Sequence, residues 1–266
     1  MLLARLATAV VLLAICIGGL FLLPNAWWGV LILPALFAAA WEWTTISGFG
    51  GGQRWTFIGV VMASAAAIRW AGPEYLAGSD TAVYAIGCAF WTMVAMPWLA
   101  RAWRVRSSIA MGLAGWAILV PAWLALAQLQ AEPHKLLALL GILWISDTAA
   151  YAAGRAWGRH KLAPSISPGK TWEGVAGAVV AVAVYYVALS AATPQWNWWT
   201  GPGGAMLFAV MTVAGVAGDL FESWIKRQAG IKDSGTLLPG HGGVLDRIDS
   251  ITASLPIAAL MLPYIG

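Results

Sequence analysis

Charged side chains are concentrated in one stretch of the sequence, residues 223–249, in a chain otherwise rich in Leu, Ala, Val and Trp. Its charged or ionisable members are Lys226, Arg227, Lys232, Asp233, His241, Asp246, Arg247 and Asp249. Carboxylates hold hard cations such as Mg²⁺, and Lys or Arg neutralise phosphate oxygens. The stretch therefore predicts a metal–phosphate site on a polar loop. The alternative is an ordinary charged loop that sets the orientation of the chain in a membrane.

A second group of polar residues immediately precedes and overlaps this loop. Asp219, Glu222, Ser223 and Lys226 are spaced so that they share one face of a helix. A charged side chain at membrane depth costs about 2.5–3.5 kcal/mol on insertion scales, so two carboxylates within one turn must face protein, a cation or water. We predict a functional acidic face; the alternative is a pair neutralised by Lys226 or by a basic residue of another span.

The end of the loop combines glycines with carboxylates. His241 has no second His or Cys nearby, so we expect it to bond a phosphate or a turn rather than a metal. Gly242 and Gly243 belong to a turn that we expect to cover the substrate, because glycine imposes little backbone preference. Asp246 and Asp249 open the next apolar run, where acidic residues favour the helix dipole, and their spacing would also let both face one cation.

A further basic segment, residues 146–174, contains a predicted helix start. Ser167 followed by Pro168 is typical of the first positions of a helix. Lys170 would then lie in the first turn, where free backbone N–H groups attract anions. A positively charged loop with a capped helix is the alternative. Because both charged segments fall on the same predicted side of the membrane, we favour phosphate binding.

Three common catalytic motifs are absent from the sequence: a phosphate-binding G-x-x-x-x-G-K-[ST] loop, a G-x-S-x-G elbow and an H-E-x-x-H pair. A covalent nucleophile is not required, however. Where phosphates and a divalent cation meet, positioning and charge neutralisation suffice for transfer.

The elements that must position these residues are membrane helices. Of 266 residues, 61% are hydrophobic and only 10% are charged, against roughly 25% charged in soluble domains. The composition predicts an all-α polytopic membrane protein with about nine transmembrane helices. The expected spans are residues 4–23, 27–45, 55–71, 81–100, 109–128, 135–153, 174–193, 203–225 and 249–265. The first is too long for a signal-peptide core, so we expect it to be retained.

The distribution of basic residues predicts the orientation. With nine spans, every Lys and Arg except Arg69 and Lys135 falls on one side. Positive charge favours the cytoplasm, so we expect a cytoplasmic N-terminus and a C-terminus on the opposite side. We divide the chain into N-terminal helices, residues 1–134 with about five spans, and catalytic helices, residues 135–266 with about four spans and two charged cytoplasmic loops.

Five runs of residues resemble the signature of a known family, the phosphatidate cytidylyltransferases or CDP-diacylglycerol synthases. The runs are SWIKR (223–227), KDSG (232–235), LPGHGGVLDRID (238–249), DTAAY (147–151) and SPGKTWEG (167–174). The specific resemblance covers about the C-terminal half of the chain. In the N-terminal half, only Trp41-Glu42-Trp43 resembles the sequences of that family.

The resemblance implies a reaction: CTP and phosphatidate give CDP-diacylglycerol and pyrophosphate, with Mg²⁺, by in-line attack of the lipid phosphate on the CTP α-phosphorus. It also implies phospholipid biosynthesis at a bacterial-type inner membrane, with the site on the cytoplasmic side. The expected partners are CTP, phosphatidate and membrane lipids, with no nucleic acid. A second, monovalent cation and a homodimer are left open.

The residues above take the following expected roles. The catalytic group is Asp219, Lys226, Arg227, Asp246 and Arg247. The substrate-binding group is Lys170, Ser223, Lys232, Asp233, His241, Gly242 and Gly243. The metal ligands are Asp219, Asp246 and Asp249.

Two other functions are compatible with these residues. A related membrane CTP-dependent transferase could act on an isoprenoid lipid, because the head-group signature does not identify the tail. A transporter could use intramembrane carboxylates and basic loops as a conduction path. Against a transporter, the sequence shows no pair of broken spans in matching halves.

Overall fold

Helices account for most of the computed structural model, which describes residues 2–70, 78–193, 199–238, 240 and 242–265. The α-helices are α1 (Leu2–Leu22), α2 (Asn25–Leu31), α3 (Leu33–Ile46), α4 (Gly51–Trp70), α5 (Ser79–Ala89), α6 (Met96–Arg101), α7 (Ser108–Leu129), α8 (Pro133–Trp157), α9 (Trp172–Ala192), α10 (Gly201–Gln228) and α11 (Leu245–Met261). A π-helical stretch, Phe90–Ala95, joins α5 to α6, and a 3-10 turn, Leu262–Tyr264, follows α11.

Several of these helices are long and apolar enough to cross a membrane. Within the described residues, six candidate spans meet both conditions, and they are Asn25–Ile46, Asp80–Arg101, Ser108–Leu129, Pro133–Trp157, Trp172–Ala192 and Gly201–Gln228. The prediction of a helical integral membrane protein is therefore confirmed. The apolar runs expected at residues 4–23, 55–71 and 249–265 are helical over most of their described length, as α1 to Leu22, α4 to Trp70 and α11 to Met261. The number of crossings and their orientation stay predictions.

The predicted helix start at Ser167-Pro168 is wrong. Residues Ser167–Thr171 form strand β2, which pairs antiparallel with β1 (Lys161–Ala163) in a small hairpin. Helix α9 begins only at Trp172, where the Thr171 hydroxyl accepts a hydrogen bond from Gly174 N at 3.1 Å and caps the helix. Pro168 is compatible with a strand of a two-stranded hairpin, since such strands have a free edge.

Helix α9 is attached to the bundle mainly through α8, and glycines allow the close approach. A Cβ built at Gly174 would lie 2.8 Å from the carbonyl oxygen of Ala150 on α8. The outer face of α9 leaves Val180, Val184 and Val187 about two-thirds exposed. In a membrane protein such a face suits contact with lipid chains.

Helices α10 and α11 form the centre of the site and are fixed by packing and hydrogen bonds. Phe221 of α10 makes edge contacts with Phe90, Trp91 and Trp98, at ring-centroid distances of 5.7, 5.5 and 5.3 Å. The Trp91 indole N–H donates to the carbonyl oxygen of Thr252 on α11 at 3.1 Å. Residues from both halves of the chain therefore hold the two helices in place.

Candidate active site

A buried group of charges, the Lys226 cluster, joins α10 to α11. It consists of Lys226 and Glu222 on α10 and Asp246 on α11. The Lys226 ammonium donates to Glu222 Oε2 at 2.8 Å and to Asp246 Oδ1 at 2.5 Å. The three side chains are only 10%, 6% and 6% exposed. Two carboxylates thus share one ammonium, and Glu222 Oε1 is buried without a hydrogen-bond partner among the described residues.

Asp246 also organises the backbone of the preceding loop. Its carboxylate accepts hydrogen bonds from Ser234 N, at 3.2 and 3.0 Å to its two oxygens, and from Gly243 N at 2.8 Å. Gly242 adopts a φ of 80°, which favours glycine, and its carbonyl oxygen accepts from Leu238 N at 3.0 Å. The lone pairs of Asp246 are therefore largely engaged by protein donors.

A second ion pair on α10, the open pair of Lys170 and Asp219, is accessible to solvent. Lys170 reaches from strand β2, and its ammonium lies 2.6 Å from Asp219 Oδ2; the side chains are 22% and 35% exposed. Within the part of the chain that the structure describes, the other oxygen, Oδ1, accepts a single long hydrogen bond of 3.3 Å from Ser223. Each carboxylate of the predicted acidic face thus has a lysine partner, Lys226 for Glu222 and Lys170 for Asp219.

Two further carboxylates lie near the open pair. Asp147 on α8 and Asp249 on α11 are close enough to Asp219 for their charges to interact. Asp249 accepts a hydrogen bond from Ser250 N at 2.7 Å and lines a small cavity with Glu222, Trp43 and Trp91. The open pair and its acidic neighbours are therefore contributed by four elements: β2, α8, α10 and α11.

The donor chemistry of this region fits a hard cation. Carboxylate oxygens are the protein ligands of Mg²⁺, which usually takes one or two carboxylates and completes its shell with water and substrate phosphates. Within the described residues, no cluster of three or more His, Cys, Asp or Glu is arranged to hold a metal by itself. Asp219 and Asp249 offer oxygens of the right type, and a substrate phosphate would have to supply the rest.

Arg227 links the two charged segments. Its guanidinium donates through Nε to the carbonyl oxygen of Ile166 in the hairpin turn at 3.3 Å, and through Nη1 to that of Ile231 at 3.1 Å. The hairpin and the loop after α10 therefore lie at the same end of the bundle. Among the described residues, these two bonds use two of the five guanidinium N–H groups, which leaves three for other acceptors.

The remaining predicted site residues lie on the loop and at the start of α11. Lys232, Asp233 and Arg247 are exposed, and Gly243 is buried. Arg247 acts electrostatically on Asp147, which places it on the side of the open pair. His241 lies outside the described residues.

One charged residue of this region was not included among the predicted site residues. Glu42, on α3 of the N-terminal half, is 4% exposed and accepts hydrogen bonds from the loop and from the start of α11. A signal was present in the sequence, because Glu42 is a lone carboxylate at the end of an apolar run, between two tryptophans. Its partners could not be identified from sequence, since they are about 200 residues away.

Comparison with known proteins identifies the family. A sequence model described as the cytidylyltransferase family matches residues 3–265. This chain belongs to the cytidylyltransferase family. Membership covers both halves of the molecule, so the N-terminal helices that carry Glu42 are part of the shared sequence pattern.

Individual cytidylyltransferases are similar over nearly the whole chain. A phosphatidate cytidylyltransferase of Pseudomonas aeruginosa is 38% identical over 276 residues, covering 98% of this chain and 97% of that protein. One of Haemophilus influenzae is 33% identical over 287 residues, with 96% of each chain covered. One of Staphylococcus haemolyticus is 42% identical over 130 residues, about half of each chain.

Proposed function

We propose that this protein is a phosphatidate cytidylyltransferase, an enzyme that converts CTP and phosphatidate into CDP-diacylglycerol and pyrophosphate. The observation that carries the proposal is the similarity, over nearly the full length, to relatives that bear this name. The site is chemically compatible with it. Lysines, arginines and carboxylates meet at one end of a helical membrane protein, where an anionic lipid and a nucleotide would have to be held together.

The transfer step requires positioning more than acid–base chemistry. The lipid phosphate is already an anion at neutral pH, so its oxygen attacks the α-phosphorus of CTP without a strong base. A new P–O bond forms to the lipid phosphate, and the P–O bond to the β-phosphate breaks, releasing pyrophosphate. Bound Mg²⁺ would neutralise charge on the transferring and leaving phosphates.

Of the three predicted metal ligands, Asp219 and Asp249 are the ones we assign to Mg²⁺, because protein donors engage their carboxylates less than that of Asp246. Asp246 stays a predicted ligand; it would have to exchange one of its hydrogen bonds from Lys226, Ser234 or Gly243 to contact a cation. A second, monovalent cation, a homodimer and the division of the chain at residue 134 also stay predictions.

The cations of the site are assigned to phosphate groups. Lys170 already faces the acidic group, and a nucleotide phosphate would offer it an alternative partner to Asp219. Lys232 and Arg247 are exposed, and Arg227 has donors to spare. We assign Gly242, Gly243 and His241, the last of which lies outside the described residues, to the cover of the nucleotide, with Asp233 and Ser223 at its edges.

The site is proposed to lie just below the cytoplasmic surface of a bacterial inner membrane. Nine crossings with a cytoplasmic N-terminus would put the hairpin and the loop on that side, where CTP is available. The contact of Arg227 with Ile166 supports a common side for both segments. Phosphatidate would approach sideways from the leaflet, with its head group at the interface.

Cysteine labelling tests this orientation. In a background without Cys16 and Cys88, Ser165→Cys in the exposed hairpin turn should react with an impermeant thiol reagent only from the cytoplasmic side. Glu132→Cys, at the other end of α8, should react only from the opposite side. Reaction of Ser165→Cys from outside would overturn both the orientation and the placement of the site.

A turnover assay tests the reaction itself. The purified protein in detergent, with labelled CTP, phosphatidate and Mg²⁺, should form CDP-diacylglycerol and pyrophosphate without any membrane gradient. A lipid panel that includes isoprenoid phosphates and polyprenols distinguishes a phosphatidate cytidylyltransferase from a related transferase that acts on an isoprenoid lipid. Turnover with an isoprenoid lipid alone would replace phosphatidate as substrate, and no CTP-dependent turnover with any lipid would reject the enzyme.

A further inference from the structure

The carboxylate of Glu42 contacts three donors of the C-terminal half. Glu42 Oε2 accepts from Leu245 N at 2.8 Å and from the Ser234 hydroxyl at 2.9 Å, and Oε1 accepts from Val244 N at 3.0 Å. The side chain is 4% exposed. A buried carboxylate is tolerated only when its oxygens are satisfied, and here the loop and α11 satisfy both of them.

These donors need an acceptor that their own segment does not provide. The first N–H groups of a helix have no partner within it, and Ser, Thr, Asp or Asn at the capping position normally supplies one. The capping position of α11 is Val244, which has no side-chain acceptor. Glu42, a residue of α3, supplies the acceptor for α11 instead. Its negative charge is also favourable at the positive, N-terminal end of the dipole of α11.

The loop is also shaped around this carboxylate. A Cβ built at Gly235 would lie 2.6 Å from Glu42 Oε1, and one built at Gly243 would collide with Glu42 and the Ser234 hydroxyl. Ser234 and Gly243 are the same residues whose backbone N–H groups bind Asp246. The loop is thus held between two carboxylates, Asp246 from its own half and Glu42 from the other.

We propose that Glu42 is a positioning residue for the transfer reaction, which fixes Ser234, Gly243 and the first turn of α11 so that Asp246 and the adjoining glycines meet the nucleotide. Glu42 does this through backbone donors and does not itself contact the reacting atoms. The inference rests on the proposed function for its kinetic consequence, while the hydrogen bonds that carry it are independent of any substrate.

The variant Glu42→Gln tests the proposal, because it keeps the size of the side chain and turns one acceptor oxygen into a donor that faces N–H groups. We expect the apparent KM for CTP to rise about tenfold and kcat to fall about tenfold, the effect of one unsatisfied buried donor. The KM for phosphatidate should stay within about twofold. Glu42→Asp, which keeps the charge on a shorter side chain, should recover part of the loss.

Gln130→Leu is the matched control. Gln130 is also 4% exposed, and its amide donates to Leu20 O and Leu23 O in the N-terminal half. Its loss should lower the melting temperature without changing the KM for CTP. If Gln130→Leu and Glu42→Gln, at a matched loss of stability, change the KM for CTP equally, Glu42 has a general structural role and the proposal is wrong.

Hydrogen exchange gives a readout that needs no turnover. The backbone amides of residues 243–246 should exchange faster in Glu42→Gln than in the wild type, and not in Gln130→Leu. Faster exchange with an unchanged KM for CTP would show that Glu42 stabilises the loop but that the loop does not position the nucleotide. That outcome would overturn the proposal. Should Glu42→Gln fail to fold, Ser234→Ala removes one bond only and should raise the KM for CTP about threefold.

Failure of the proposed function would be distinguishable from failure of this inference. A wild-type protein without CTP-dependent turnover would reject the function. CTP binding, measured by equilibrium dialysis on the wild type, Glu42→Gln and Gln130→Leu, would then decide the positioning role. Equal affinity in all three would reject it.

Discussion

Two lysine–aspartate pairs, each with one member on α10, have opposite environments. Lys226 binds Asp246 and Glu222 in a cluster whose side chains are at most 10% exposed, whereas Lys170 binds Asp219 with 22% and 35% of the side chains exposed. Removing one partner of a buried pair leaves an uncompensated charge, at a cost of about 3–5 kcal/mol. An exposed pair is worth about 0–1 kcal/mol. The first pair therefore fixes the shape of the site, and the second is available to exchange partners with a ligand.

The largest expected effect comes from the buried cluster. Lys226→Met would leave Glu222 and Asp246 buried without their ammonium, so the free energy of unfolding should fall by about 3–5 kcal/mol. Thermal or denaturant unfolding in detergent measures the loss. Lys170→Met, the matched change in the open pair, should cost less than about 1 kcal/mol; equal losses would erase the distinction between the two pairs.

The next effect concerns the acidic partner of the open pair. Asp219→Asn keeps the shape of the side chain but removes its charge, so turnover should fall about 100-fold or more and the Mg²⁺ requirement should rise. The melting temperature should hardly change, because Asp219 is partly exposed. A magnesium titration of initial rates provides the measurement, with Glu132→Gln, an exposed carboxylate at the far end of α8, as the control. Near-normal turnover would remove Asp219 from the metal site.

A smaller effect is expected at the basic partner. Lys170→Ala should raise the apparent KM for CTP about tenfold, close to 1.4 kcal/mol, because an ammonium that can neutralise a nucleotide phosphate is lost. Initial rates at varied CTP give the value. An unchanged KM would mean that Lys170 stays with Asp219 when the nucleotide binds.

The smallest effect distinguishes Arg227, which connects the hairpin to the loop after α10, from Arg104, an arginine of another loop. Arg227→Ala should raise the apparent KM for CTP about threefold, since it removes the contacts to Ile166 and Ile231 as well as a positive charge. Arg104→Ala, at an exposed position of the loop after α6, should lie within assay error. Equal small effects would favour a role in membrane orientation for both arginines.

Much of the architecture could be predicted from sequence because its signals are local. Apolar length defines a membrane helix, and the spacing of Asp219, Glu222, Ser223 and Lys226 places them on one helix, α10. The charged stretch at 223–249 was predicted as a polar loop between two spans, and it does connect two helices, but α10 continues to Gln228 and α11 begins at Leu245, so the loop is shorter than predicted. These features depend on neighbouring residues only.

The remaining features depend on contacts between distant residues. Ser167-Pro168 has the chemistry of a helix start, but pairing with Lys161–Ala163 makes it a strand, and Thr171 supplies the cap instead. The sequence left open whether Lys226 or another basic residue neutralises Glu222. Lys226 does so from within α10, and its second bond, to Asp246 of α11, joins residues that spacing alone could not bring together. The partners of Glu42 could not be read from spacing at all.

The capping of α11 by Glu42 has a consequence for synthesis of the chain. Glu42 is synthesised early, whereas Leu245, which donates to its carboxylate, is 203 residues further along the chain. At about 5–20 residues per second the delay is on the order of 10–40 s. During that time α3 carries an unpaired polar group in an apolar setting, so nascent chains stopped before residue 234 should be degraded faster than complete ones in a pulse-chase experiment. A helix synthesised late thus completes the hydrogen bonding of one that is synthesised about 200 residues earlier.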